Sequence, residues 1–362
     1  MSKLGARAAL ATVAAIALVA VFAGLARLGI PLSFAGARAS VHGPLFVLGV
    51  FFTLISLERA VALGARLGYF APVLGACTGL SLVTGAAVLR PAAALAALAL
   101  VLVNAALYRK QASVHLVLML VGSLSLLAAN VAWVSGAAVS DVVPSWLTFF
   151  VLTIVAERVE LARFVAPPRA AVRGLLLLGF SVAGLTLCGL LGLPSSERAF
   201  GLLLALIGLW LLRYDLGRRT VRQPGLPRYA AVCVLSGSAW LLFAGLLLAM
   251  LGLPAAGPSY DAILHAVFVG FVLAMVFGHA PFILPAVARI ALPFHRVLYA
   301  PLFLLHAGLL ARCSGDLALV PWLRQAGGLL NALSLVTFIA CAIWARRHAA
   351  PGHDPNHAFG AI

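Results

Sequence analysis

The chain has 362 residues, of which 64% are hydrophobic and only 9% are charged. This composition excludes a water-soluble globular protein, in which about a quarter of the residues are charged. The formal net charge of +16 would suggest nucleic-acid binding in a soluble chain. Here the basic residues fall in short loops between apolar runs, which is the orientation bias of membrane proteins. We therefore expect an all-α polytopic integral membrane protein that contacts the lipid bilayer and no nucleic acid, because a backbone in lipid must pair internally as helices.

Apolar runs of about 20 residues recur along the chain and predict about twelve transmembrane helices. The predicted segments span residues 7–30, 42–64, 69–89, 91–108, 113–138, 144–165, 172–193, 196–213, 229–252, 259–288, 297–313 and 319–345. The third and fourth segments are divided only at Arg90–Pro91, so a count of eleven is the alternative. The first run, Ala8–Leu28, is longer than the apolar region of a secretory signal, and we expect it to be a retained helix.

The basic residues also predict the orientation of these helices. With twelve segments, 19 of the 25 Lys and Arg residues fall on one side of the membrane and 6 on the other. Because the richer side normally faces the cytoplasm, both termini are predicted to be cytoplasmic, in an inner (cytoplasmic) membrane. Residues 1–347 would form a single transmembrane helical bundle, and residues 348–362 a short C-terminal tail that is predicted to be disordered.

Two histidines, His265 and His279, lie on the tenth segment. They are fourteen residues apart, close to four helical turns, which would place them on one face about 21 Å apart. His42 opens the second segment, which runs in the same direction, so His42 and His265 are both expected near the outer surface. Imidazoles on opposed helices commonly hold a haem iron from both axial sides. Since the chain has no CxxCH attachment motif, a haem held by His42 and His265 would be of the b type.

A second group of histidines is expected in the cytoplasmic half of the membrane. His279 lies deep in the tenth segment, His115 begins the fifth, and His306 lies near the middle of the eleventh. The sharper hypothesis is an inner haem or a copper ion held by His279 with His115 or His306, because both metals accept imidazole nitrogen. The alternative for each is a hydrogen bond to a neighbouring helix with no ligand.

Carboxylates within the helices form the third group of candidates. Glu58 and Glu157 lie near the cytoplasmic ends of the second and sixth segments, each directly before an arginine. One interpretation is an interfacial network of ion pairs that fixes the helix register. The other is a proton path from the cytoplasm, with Glu58 or Glu157 as the relay.

Two stretches resemble a known family. The sequence LHAVFVG at residues 264–270, followed by Met275, resembles the LHAxxVG stretch of the NnrS family. His42 in HGPLFVLGVFF looks like the early histidine helix of that family. Those membrane proteins have about as many helices and are described as containing haem and copper and as associated with nitric oxide stress. A histidine pair on the second and tenth helices also looks like the low-spin haem site of the haem–copper oxidase subunit.

The chain departs from both patterns. Gly278–His279 continues as APFILPAVAR, where the NnrS pattern ends in a GHTGR-like sequence, and the doubled histidine of the early helix is absent. An oxidase would carry adjacent histidines on the seventh helix and HxH on the tenth, and the sequence has neither. Oxygen reduction is therefore not expected.

These patterns lead to one functional hypothesis and two alternatives. The hypothesis is an NnrS-like membrane protein that binds haem, or haem and copper, and has an electron-transfer or nitric-oxide-related role with a membrane or periplasmic redox partner. The first alternative is a transporter of protons or a small solute that uses the intramembrane histidines. The second is a non-catalytic membrane subunit or assembly factor.

Overall fold

The computed structural model describes residues 3–32, 36–86 and 91–348, with side chains from residue 8 onward. Within these ranges the chain is helical and has no strand. Eleven of its helices are long and apolar enough to cross a membrane. The expected all-α, multi-pass membrane fold is therefore confirmed at this level, while the orientation of the termini stays a prediction.

The helices follow the predicted segments closely. Their bounds are α1 Lys3–Arg27, α2 Ala39–Leu63, α3 Arg66–Thr84, α4 Ala92–Lys110, α5 Val114–Val134, α6 Val139–Ala162, α7 Arg169–Leu190, α8 Glu197–Tyr214, α9 Leu226–Leu251, α10 Pro258–Ala288, α11 Arg296–Leu317 and α12 Pro321–Arg347. A single helical turn, Gly217–Thr220, lies between α8 and α9. Apart from His348, the predicted tail at residues 348–362 lies outside the described residues.

The difference between eleven and twelve spans rests on α8. This helix exists where the eighth segment was predicted, but its 18 residues include Glu197, Arg198 and Arg213. Because α8 is so short, it has no 18-residue stretch with two charges or fewer, whereas each of the other eleven helices has one. The predicted division at Arg90–Pro91 holds, because α3 ends at Thr84 and α4 begins at Ala92. The lower count therefore does not arise from a fused third and fourth helix.

Three helices form the centre of the bundle. In the most apolar part of each helix, the buried share is 78% for α6 and 61% for both α2 and α10, against 50% or less for the other spans. Helix α6 packs against both neighbours in sequence, and the inner parts of α2 and α10 touch each other. The membrane-embedded candidates His42, Glu58, Glu157, His265 and His279 all lie on these three helices.

Helices α2 and α10 share a departure from regular geometry. The backbone is π-helical over Leu45–Phe51 in α2 and over Ala266–Leu273 in α10, shortly after His42 and His265 respectively. Wider turns of this kind are rare and are often found at functional sites. Because the second π-helical segment lies between His265 and His279, their predicted same-face spacing, which assumed 3.6 residues per turn, does not apply. The roles of His265 and His279 are therefore inferred from the contacts of each imidazole ring.

Candidate functional site

The imidazole rings of His42 and His265 lie side by side at one end of the bundle. Their centroids are 6.3 Å apart, and the ring planes are nearly parallel, with an angle of 11° between them. His42 lies in the first turns of α2 and His265 in the first turns of α10. The structure thus brings together two histidines that are more than 200 residues apart in sequence.

Each ring is fixed in orientation by a hydrogen bond to a main-chain carbonyl. Nδ1 of His42 lies 2.7 Å from the carbonyl oxygen of Ala20, and Nδ1 of His265 lies 2.7 Å from that of Asp261. A carbonyl accepts only, so each Nδ1 donates and carries the proton, and each Nε2 is left as an acceptor. Neither Nε2 has a hydrogen-bond partner among the described residues. This is the arrangement by which proteins orient a histidine that ligates a metal.

The separation of the two ring centroids can be compared with that of two imidazoles that ligate one metal ion. A bond from metal to imidazole nitrogen is about 2.0 Å long. A ring nitrogen lies about 1.15 Å from the ring centroid when ring bonds are about 1.33 Å. Two imidazoles on opposite sides of one metal would therefore have centroids about 6.3 Å apart, which agrees with the 6.3 Å in the structure.

The two rings lie in the wall of a cavity of about 390 Å³. This volume falls in the range of about 300–1,000 Å³ that is usual for small-molecule and cofactor sites. The lining comes from α1, α2, α6, α10, α11 and α12 and is mainly apolar. Exposed Ser40, Ala255 and Ala256 also line the cavity, so it opens at this end of the bundle. In the predicted topology this is the outer end.

Helix α1 closes in behind His42. A Cβ atom at Gly24 would lie only 2.5 Å from Cε1 of His42 and 2.7 Å from its Nδ1. Glycine is therefore required at this position for α1 to approach the ring so closely. The same approach brings the carbonyl of Ala20 within reach of the ring.

Aromatic side chains form the inner part of the cavity wall. Phe46 contacts His42 edge-on at 5.3 Å between centroids and also contacts Phe51 at 5.7 Å. Phe150 then lies 5.9 Å from Phe51 and 5.7 Å from Phe268. Of these four rings, Phe46, Phe51 and Phe268 line the cavity, and Phe150 packs behind them. Edge-to-face packing at such distances is favourable beyond the area that it buries.

An ion-pair network surrounds Asp261, one helical turn before His265. The Asp261 carboxylate binds Arg324, and it lies 3.8 Å from Arg27 and 3.9 Å from Arg312. Asp316 lies 2.8 Å from Nε of Arg324 and 3.9 Å from Nε of Arg312. The same residue that orients His265 through its main chain therefore gathers three arginines through its side chain.

Sequence reasoning missed this network. The signal was available, since Arg27, Arg312 and Arg324 are three of the six basic residues assigned to the outer side, against the general bias. Charges that depart from the expected side need a local partner. Asp261 and Asp316 are two of only nine acidic residues.

Two of the inner histidines each lie beside a carboxylate. Nε2 of His279 lies 3.6 Å from Glu157, and Nε2 of His115 lies 3.7 Å from Glu160. In the described part of the chain, no group of three or more His, Cys, Asp or Glu residues could hold a metal ion. The contacts instead form two pairs of imidazole and carboxylate between helices.

His306 has a different neighbour. The indole N–H of Trp240 donates a hydrogen bond of 3.0 Å to Nδ1 of His306. This contact joins α9 to α11, which is the ligand-free alternative considered for this residue. Nε2 of His306 is buried without a hydrogen-bond partner among the described residues.

The charged residues of α2 and α6 do not simply form ion pairs with each other. Arg158 and Glu157 of α6 have partners outside α2. Arg158 donates to both carboxylate oxygens of Asp215, at 2.7 and 2.9 Å, in a bidentate pair. Glu157 faces His279 and Glu58 lies nearby, which places two carboxylates and one imidazole close together in the inner half. Asp215, in the loop after α8, was not predicted as a partner.

The fold and the cavity define the class of this protein as a multi-pass helical membrane protein with paired imidazoles in an open cavity. Residues 7–347 match the family model described as a domain of unknown function, DUF8744. Since the match covers most of the chain, the protein belongs to this family. Comparison with curated proteins gives no match.

Proposed function

We propose that this protein binds a b-type haem between His42 and His265 and transfers electrons at the outer surface of the inner membrane. The observation that carries the proposal is the pair of parallel rings 6.3 Å apart, each oriented by a main-chain carbonyl. A bound haem would supply one-electron chemistry at its iron. The chain would hold that iron from both sides and keep it in a fixed position.

The number of protein ligands favours haem over a bare metal ion. A metal ion held by protein alone normally takes three or four side-chain ligands. The cavity provides two imidazoles, and a haem needs only two because its macrocycle supplies the four equatorial nitrogens. The mainly apolar lining suits a macrocycle better than a hydrated ion. Copper at the inner histidines has less support, since His279 and His115 each face a carboxylate.

The two-sided arrangement favours electron transfer over nitric oxide chemistry. If His42 and His265 both ligate the iron, the chain would leave no ligand position open for a small molecule. The aromatic rings in the cavity wall would keep the surroundings of the iron apolar, while the open end would let a periplasmic or membrane redox partner approach. The resemblance to the NnrS family agrees with a haem-containing membrane protein.

An optical spectrum of the purified full-length protein tests the proposal. After expression with haem supplied, we expect a Soret band and sharp α and β bands on reduction, as for iron held by two imidazoles. Added cyanide or carbon monoxide should change this spectrum little, because both axial positions are occupied. A preparation without a Soret band would reject the proposal and favour the subunit or assembly-factor alternative.

A second candidate function is proton movement through the inner half of the bundle. The contact between His279 and Glu157, with Glu58 nearby, favours it, because ionisable groups at membrane depth commonly mark proton paths. This function could accompany haem binding or stand alone in a transporter. Proton movement requires a series of groups that each accept and release a proton, and Glu58, Glu157 and His279 are the candidates.

Replacement Glu157→Gln tests this second candidate in proteoliposomes with an internal pH dye. If Glu157 is a relay, wild-type protein should conduct protons above the level of empty liposomes. The variant should lower this rate by about a hundredfold or more, the size of effect usual for a lost proton-transfer group. Glu160→Gln is the matched control on the same helix, since Glu160 faces His115 instead. Equal rates in Glu157→Gln and wild type would remove Glu157 from the path.

A further inference from the structure

The outer end of the cavity carries more positive than negative charge. The network described above contains three arginines, Arg27, Arg312 and Arg324, but only two carboxylates, Asp261 and Asp316. Arg324 takes the closest contacts to both carboxylates. The other two arginines are therefore the less completely paired members of the network.

Arg312 is the more unusual of these two. Its side chain is only 8% exposed and lines the same cavity as His42 and His265. Its guanidinium makes no hydrogen bond to any described residue, and its Nε is fully buried. Both of its carboxylate neighbours are 3.9 Å away. A buried guanidinium without hydrogen bonds is costly, and a ligand in the cavity would relieve that cost.

Arg27 lines the cavity from the end of α1. Its side chain is 42% exposed, and its only ion pair among the described residues is the 3.8 Å contact with Asp261. Arg324, by contrast, does not line the cavity. Arg27 and Arg312, which have N–H donors left free, thus both reach the cavity. Arg324, which has close carboxylate partners, does not.

We propose that Arg312 and Arg27 hold the carboxylate side chains of the haem whose iron lies between His42 and His265. This inference rests on the proposed function and adds the part of the ligand that the histidines do not recognise. Arginine presents a planar set of N–H donors that matches a carboxylate. Arg312 and Arg27 would then hold the carboxylates, and the phenylalanine rings that line the cavity would contact the apolar part of the ligand.

The test compares haem with its dimethyl ester, in which both carboxylates are blocked. Full-length protein is purified in detergent from cells grown without added haem and is titrated with each compound. Wild type should bind haem at least about tenfold more tightly than the ester, because charge-assisted hydrogen bonds are lost in the ester. Both compounds should give the same bis-imidazole spectrum, since His42 and His265 are unchanged.

Variants of the two arginines test whether these residues cause the preference for haem over its dimethyl ester. Arg312→Gln should lower haem affinity about tenfold and leave ester affinity nearly unchanged. Arg27→Gln should act in the same direction and removes only the half-exposed 3.8 Å contact with Asp261 from the network, so it serves if Arg312→Gln does not fold. Arg38→Gln is the matched control, since Arg38 bonds to the carbonyl of Val83 and does not line the cavity.

The outcomes separate this inference from the proposed function. If wild type binds the ester as tightly as haem, the arginines do not hold the carboxylates, while haem binding stands. If both variants weaken haem and ester equally, the arginines act on the fold alone, and the inference is wrong. If neither compound gives a bis-imidazole spectrum, both the inference and the proposed function are rejected.

Discussion

Replacing His265 with alanine is expected to abolish the bis-imidazole spectrum and to lower haem retention by at least about a hundredfold. Loss of a partner that merely orients a ligand already costs about 10–100-fold, and His265→Ala removes the ligand itself. His42→Ala should have the same effect, because the two rings act as one site. The measurement is the ratio of Soret to protein absorbance after purification, with the spectrum of the reduced protein.

Two controls make this result specific. His279→Ala lies on the same helix and should keep the spectrum, since His279 contacts Glu157 in the inner half. His265→Gly leaves space in the cavity, and added imidazole should restore the bis-imidazole spectrum in part. If His265→Ala retained the wild-type spectrum, the site would lie elsewhere, and the interpretation of the stacked rings would be wrong.

Replacing Asp261 with asparagine is expected to lower the free energy of unfolding by about 3–5 kcal/mol, the cost of breaking a buried ion pair by removing one partner. Its carboxylate is only 6% exposed and faces Arg27, Arg312 and Arg324. In the variant, Asp316 alone would balance these three cations. The free energy of unfolding is measured in mixed detergent, and unfolding is monitored through the loss of the helical circular dichroism signal.

Asp141→Asn is the matched control for this prediction. Asp141 accepts a hydrogen bond from the main-chain N–H of Ala138 at the exposed start of α6. Its loss should cost only about 1 kcal/mol, as for other helix caps. A change of the same small size in Asp261→Asn would contradict the interpretation of the Asp261 network as buried and essential. The main-chain bond to His265 should persist, so any folded Asp261→Asn protein should still orient that ring.

The histidines in the inner half of the bundle show what a sequence pattern can and cannot predict. His279 and His115 were predicted as metal ligands because imidazole is costly in lipid unless it is bound. The same cost is met in the structure by Glu157 and Glu160 on α6. Sequence spacing could not choose between the two solutions, since the partner of each ring comes from another helix whose rotation depends on packing.

The π-helical segment of α10 likewise changes the relation between His265 and His279 in a way that sequence spacing does not predict. A regular helix would have aligned His265 and His279, but Ala266–Leu273 winds differently. No residue pattern in that apolar stretch marks the change. The structure still places His42 beside His265, because both rings lie before the π-helical part of their helices.

The sequence by itself determined the membrane class, the helical fold and the approximate ends of almost every helix. These depend on apolar run length and on the need to pair the backbone in lipid, which are local properties. The sequence also paired His42 with His265, but tertiary structure alone decided the partners of His115, His279 and His306, and it gathered Arg27, Arg312 and Arg324 around Asp261. Such contacts depend on helix rotation and on close approaches such as that of Gly24 to His42, and these are set by packing among segments distant in the chain.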